Sequence, residues 1–100
     1  MLLDTSGLLC LFDEGDFRYE TAKTFYYAAT ERLTHNYVLA EFVSLCYVRG
    51  LNRSETLAFV SDLLDNPDVE VIWVDEILHR AAVAFLETRL DKVWSLCDAV

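Results

Sequence analysis

Three acidic residues stand where a carboxylate could do chemistry. Asp4 follows the apolar opening Met1-Leu2-Leu3 and is followed in turn by the hydroxyls of Thr5 and Ser6 and by Gly7. Apolar residues running into an acid read as a short buried strand that ends in a carboxylate. In an open α/β sheet, ligands bind just outside the carboxyl ends of the strands, so an acid there can bind a metal or orient a substrate. Asp4 can equally serve as the N-cap of the next helix, with Thr5 or Ser6 sharing that work. Glu41 is the second. On a helical wheel its neighbours are Tyr37, Val38, Leu45 and Val48. A lone ionised carboxylate among such residues is costly unless it is paired or metal-bound. The alternative is a partly solvated Glu at a helix edge, and Arg49, over two turns away, offers no local partner. Asp98 is the third. It stands among Leu96, Cys97, Ala99 and Val100, where it suits the first turn of a helix and the back-reaching position of a capping box begun at Ser95.

Taken together, the three acids end a strand, sit in a central helix and open the last helix. A parallel sheet can bring all three to its carboxyl edge. Hard oxygen clusters of that kind suit Mg²⁺ or Mn²⁺, ions that support in-line phosphoryl displacement. The remaining acids form no such set. Asp13, Glu14 and Asp16 read as a solvated loop, Asp62, Asp65 and Asp68 flank a helix end and a turn, and Asp75 and Glu76 are helix-start acids. Asp91 is the one rival to Asp98. His35 precedes a helix start and reads as surface or structural. No P-loop, dinucleotide fingerprint, nucleophile elbow or H-E-x-x-H motif occurs.

The elements that must position these residues follow from periodicity and punctuation. Leu8, Leu9, Leu11 and Phe12 predict a short helix, broken at Asp13-Glu14-Gly15-Asp16. Ala22, Phe25, Tyr26 and Ala29 recur at helical spacing and predict a helix over about 17–30. Glu31 to Thr34 carries a weak strand signal. The next helix is expected from an Asn36 N-cap to a stop near Gly50. Its interior is apolar nearly all round, which places it centrally. Ser54 is expected to cap a helix with Leu57, Val60, Leu63 and Leu64 on one side. Val69-Glu70-Val71-Ile72-Trp73-Val74 is the clearest strand. Asp75 caps a helix with Leu78, Ala81, Ala82 and Phe85 facing inward, and Ser95 opens a last helix. Strands alternating with helices predict an α/β protein with a parallel sheet and helical crossovers.

Composition bounds the rest. The 100 residues are 54% hydrophobic and include six Phe, five Tyr and two Trp, enough for one packed domain over 1–100. No apolar run approaches the roughly 20 residues of a membrane span, and no secretory pattern precedes Asp4, so a cytoplasmic protein is expected. Cys10, Cys46 and Cys97 sit in apolar stretches without a C-x-x-C pair, which suits reduced core thiols rather than disulfides or zinc. The net charge of −9 is opposite to that of a simple duplex binder. It calls for cations or a basic protein partner before a polyphosphate can approach.

Three segments in this order and spacing resemble the PIN-domain family, in particular the toxins of VapBC toxin–antitoxin pairs. They are Leu2-Leu3-Asp4-Thr5-Ser6, Leu33-Thr34-His35-Asn36-Tyr37-Val38-Leu39-Ala40-Glu41 and Trp94-Ser95-Leu96-Cys97-Asp98-Ala99. The resemblance implies a three-layer α/β/α sandwich around a parallel sheet. It implies Mg²⁺ or Mn²⁺ held by Asp4, Glu41 and Asp98, with the Ser6 hydroxyl near the ion. It further implies metal-dependent hydrolysis of RNA phosphodiester bonds, a homodimer, and inhibition by a small basic antitoxin. Family members usually continue into a further strand and a fourth acid, which these 100 residues do not contain. The chain is therefore expected to be a C-terminally truncated domain with its last strands missing. The alternative expectation is a catalytically inactive remnant that acts only through protein association.

Overall fold

The computed structural model describes residues 1–93 and 95–100. Trp94, part of the third matching segment, lies outside the described residues. Helices α1 (Thr5–Phe12), α2 (Tyr19–Ala28), α3 (Asn36–Val48), α4 (Arg53–Asp65), α5 (Glu76–Glu87) and α6 (Leu96–Ala99) alternate with strands β1 (Leu33–His35) and β2 (Glu70–Ile72). The two strands pair in parallel, Thr34 opposite Val71. The chain start lies parallel to β1 on its other side through a bridge between Leu2 and Leu33. Leu3 N–H donates to the Leu33 carbonyl at 2.7 Å and Leu33 N–H to the Met1 carbonyl at 2.9 Å. The protein is thus α/β with a small parallel sheet, as its alternating pattern predicts.

The strands are shorter than the sequence pattern, for local reasons. The opening segment makes only a bridge because α1 begins at Thr5, directly after Asp4. β1 stops at His35 because His35 is already the N-cap of α3. Among the described residues β2 has no strand partner beyond Ile72, and Trp73, expected within the strand, is 64% exposed.

The core lies where α1, α3 and α4 meet. Leu3, Leu8, Leu9, Val38, Leu39, Phe42, Cys46, Leu63 and Val69 are buried there. Phe12, Phe42 and Phe59, one from each helix, form a ring triangle with centroids 5.1–5.7 Å apart. Such aromatic contacts add to the area they bury. Cys10 and Cys46 are buried free thiols and Cys97 is half-buried. Burial pushes the Cys46 thiol pKa up, with its hydrogen bond to Thr56 acting in the opposite sense.

Several faces and caps differ from the sequence expectation. α3 is not buried all round. Val38, Leu39, Phe42 and Cys46 face the core, while Ala40, Glu41, Ser44, Tyr47 and Val48 are exposed. Its N-cap is His35, whose Nδ1 accepts from Val38 N–H at 3.2 Å. Asn36 instead accepts from Val74 N–H at 2.6 Å across the molecule. α4 is capped by Asn52, not Ser54, with Glu55 N–H donating to Asn52 Oδ1 at 2.9 Å. Its covered side is Thr56, Phe59, Val60 and Leu63, whereas Leu57 and Leu64 are exposed. On α5 the covered positions are Leu78, His79, Ala82 and Leu86, and Ala81 and Phe85 turn outward. The loop acid Asp16 is paired, its carboxylate meeting Arg18 Nη2 at 3.0 Å. That guanidinium holds the Asp16 pKa below the usual carboxylate value.

Candidate active site

Each of the three acids is presented by the end or the outer face of an element that is anchored elsewhere. Asp4 is the N-cap of α1, and its Oδ1 accepts from Gly7 N–H at 2.7 Å. The fit is close, since a Cβ at residue 7 would stand 3.0 Å from that oxygen. Leu3, fully buried, fixes the backbone just before it. The Leu3 carbonyl accepts from Thr34 Oγ1 at 2.8 Å, tying this segment to β1. Asp98 lies in a reciprocal capping box. Its own N–H donates to Ser95 Oγ at 3.1 Å, and Ser95 N–H donates to its Oδ2 at 3.1 Å. The cap roles read from sequence for Asp4 and Asp98 are therefore real.

Glu41 is exposed. The cost of burial inferred from its apolar wheel neighbours does not apply, because Val48 is 80% exposed and Tyr37 only half-buried. The side of α3 that carries Glu41 faces an open cleft instead.

That cleft gathers the sequence-selected residues. Asp4, Thr5, Ser6, His35, Glu41, Cys97 and Asp98 line it, with Leu2, Leu33, Val38, Ile72 and Leu78 as its apolar walls, and its volume is about 370 Å³. It lies beyond the carboxyl ends of the opening segment, β1 and β2. Asp91 and Asp75 do not line it. The lining also includes two residues whose part the sequence reading missed, Cys97 and Leu78. Their positions depend on how α6 and α5 pack, which local pattern does not reveal.

The electrostatics of the cleft are acidic. Burial pushes the Cys97 thiol pKa up to about 12, and its hydrogen bond to Glu41 and the charges of Glu41 and Asp98 act in the same direction. At neutral pH this group is a thiol that donates, and its weak nucleophilicity follows from that. Burial lowers the His35 pKa, with the Glu41 charge opposing. Because Nδ1 of His35 accepts from Val38 N–H, that nitrogen carries no proton. His35 is thus a neutral structural cap at the cleft wall.

The carboxylate oxygens suit a hard divalent cation. Each cap bond engages one oxygen of Asp4 and one of Asp98 and leaves the second oxygen of the same group. Among the described residues, however, no three Cys, His, Asp or Glu side chains are drawn together as a closed ligand cage. An open acidic cleft of this kind fits an ion that retains several waters and takes only one or two protein carboxylates at a time, which is the habit of Mg²⁺.

The parallel sheet with helices on it makes this an open-sheet α/β protein, the class in which ligands bind at the carboxyl ends of the strands. More particularly, the chain has the fold of a VapC toxin. It superposes on VapC20 of Mycobacterium tuberculosis, a sarcin–ricin-loop-cleaving toxin, with a TM-score of 0.84 and 26% sequence identity, covering 98% of this chain and 75% of that one. No protein-family model matches the chain, and no curated protein matches it in sequence. No helix among the described residues is long and apolar enough to cross a membrane.

Proposed function

We infer that this chain is a VapC-like, PIN-type endoribonuclease that requires Mg²⁺ or Mn²⁺, built as a three-layer α/β/α sandwich. The observation that carries the inference is the single cleft lined by Asp4, Glu41 and Asp98, residues of three separate elements. Its likeness to an RNA-cleaving toxin supports the substrate class.

Asp4, Glu41 and Asp98 would hold the ion. When bound, such an ion supplies a nucleophile at neutral pH and stabilises the charge of an in-line phosphoryl displacement. The protein's own residues do the positioning. Asp4 is steadied by its cap bond to Gly7, and Asp98 by its box with Ser95. The Ser6 hydroxyl, exposed in the first turn of α1 and lining the cleft, donates to a phosphate oxygen. The Cys97 thiol, protonated beside Glu41, would donate to that carboxylate.

With a net charge of −9, the cleft repels RNA until a cation is in place. The same charge attracts a small basic antitoxin whose cationic side chain fills the cleft. A homodimer in the cytoplasm completes this reading.

The test is cleavage of a synthetic sarcin–ricin-loop RNA hairpin and of total RNA in Mn²⁺. The expected result is cleavage by the wild type that is lost in Asp4→Asn and in EDTA. Equal cleavage by wild type and Asp4→Asn, or cleavage that survives EDTA, would refute it. No cleavage of any RNA together with no Mn²⁺-dependent rise in Tm would favour a non-catalytic protein that acts through association.

A further inference from the structure

α5 is weakly held by apolar contacts. Ala82 is its single buried residue, and Ile77 is 79% exposed. Two consecutive residues at the start of α3 fasten it instead. Asn36 Oδ1 accepts from Val74 N–H at 2.6 Å, just before the helix. The Tyr37 hydroxyl is hydrogen-bonded to His79 Nδ1 within it. Both bonds are partly buried and both span long stretches of chain. The Tyr37 and His79 rings meet edge-on with centroids 5.7 Å apart at 81°, and His35 lies edge-on to Tyr37 at 6.2 Å.

This latch acts on the cleft. Leu78, next to His79, lines it, and so does His35, whose ring also meets that of Tyr37. α5 packs against α6, which carries Cys97 and Asp98, and α6 also touches α3. Among the described residues the internal side-chain bonding of the short α6 is its capping box, and four residues of helix are not stable alone. Its seat is therefore set by α5 and α3, and the latch joins those two.

We propose that Tyr37 and His79 are a positioning pair that seats α6 and so sets where Asp98 stands relative to Asp4 and Glu41. They touch neither ion nor substrate. The consequence for cation binding rests on the function proposed above, whereas the seating of α6 does not. Outer-shell partners of metal ligands commonly control affinity in this way.

The experiment uses Tyr37→Phe, His79→Leu and His79→Asn, the last placing an amide where the imidazole Nδ1 stands. Cysteine alkylation in metal-free protein, assigned by mass spectrometry, reports the seat of α6 through Cys97, with Cys10 and Cys46 as internal references. Mn²⁺ affinity is read by calorimetry. The expected result is several-fold faster labelling of Cys97 alone in Tyr37→Phe and His79→Leu, with Mn²⁺ affinity lower by about tenfold. His79→Asn should stay nearer the wild type in both. Unchanged Cys97 labelling overturns the proposal, as does a rise shared by all three thiols, which would mean general loosening. If the wild type itself binds no Mn²⁺, the metal reading fails while the labelling still decides the role of the pair.

Discussion

The most demanding prediction concerns Thr34, because it tests how the site is attached to the sheet. Thr34 is fully buried in the middle of β1. Its Oγ1 donates to the Leu3 carbonyl at 2.8 Å, and among the described residues no other donor reaches that oxygen. Thr34→Val preserves shape but leaves the buried carbonyl unsatisfied, which costs about 1–3 kcal/mol. Thr34→Ser keeps the hydroxyl and removes one methyl, a loss of about 1 kcal/mol. In a domain of this size 1 kcal/mol moves Tm by roughly 4–8 °C. With a mid-range cost of about 2 kcal/mol, Thr34→Val should therefore lower Tm by about 8–16 °C, and Thr34→Ser by about half as much. Urea melts should show the same order with an unchanged m-value, since the folded surface is the same. Mn²⁺ affinity should also fall in Thr34→Val, because Asp4 follows directly on Leu3. The reasoning is refuted if Thr34→Val is as stable as the wild type or more stable than Thr34→Ser.

Two further predictions follow from the caps. Burial lowers the folded-state pKa of His35 below the ordinary histidine value of about 6.5, so between the folded and unfolded pKa values the unfolded chain binds more protons and stability rises with pH. That contribution is complete above about pH 6.5 and is lost as pH falls through the depressed folded value. His35→Asn, which retains a side-chain acceptor for the α3 N-terminus, should lose less stability than the wild type between pH 7.5 and pH 5 in paired urea melts. Parallel profiles would count against it. Gly50, at φ 70° beyond the end of α3, has open space around a built Cβ. Gly50→Ala should therefore cost only the left-handed backbone penalty of about 1–2 kcal/mol, and Gly50→Asn less. Equal losses in the two variants would show that something other than backbone conformation decides this position.

Residues that signal locally were legible in the sequence. Asp75 before an apolar period, Ser95 three residues before Asp98 and Gly50 at a helix end all do in the structure what their types predict. Asn52 was also readable, since Asn-x-x-Glu over 52–55 is a capping signature, but the Ser at 54 competes with it. What local pattern could not show is where long-range partners lie. Asn36 has the type of an N-cap, yet it is drawn away by Val74, and His35 takes the cap. Phe85 has the type of a core residue, yet it turns outward beneath Arg89, whose guanidinium stands 5.7 Å from the ring centre. Glu41 was selected through a supposed burial that the structure does not have. It nevertheless lines the same cleft as Asp4 and Asp98, because the exposed side of α3 faces the strand ends.

The sequence left cap and ligand as competing roles for Asp4 and Asp98. The structure shows the cap bonds, and a cap bond does not by itself preclude a ligand role. A carboxylate has two oxygens and about four lone-pair sites, and one backbone N–H uses only a fraction of them. The cap bond does more than occupy an oxygen. It fixes the side-chain rotamer of a short acid at the point where a helix meets the strand ends, at a cost already met by satisfying the helix terminus. Glu41, longer and mid-helix, has no such bond; beside it stands the Cys97 thiol, kept protonated first by burial and further by the neighbouring Glu41 and Asp98. A cleft organised in this way holds its acids apart without collapsing and keeps oxygens directed at solvent. On the function proposed above, that arrangement would leave a hydrated divalent cation, rather than a lysine or arginine of the same chain, as the counter-charge.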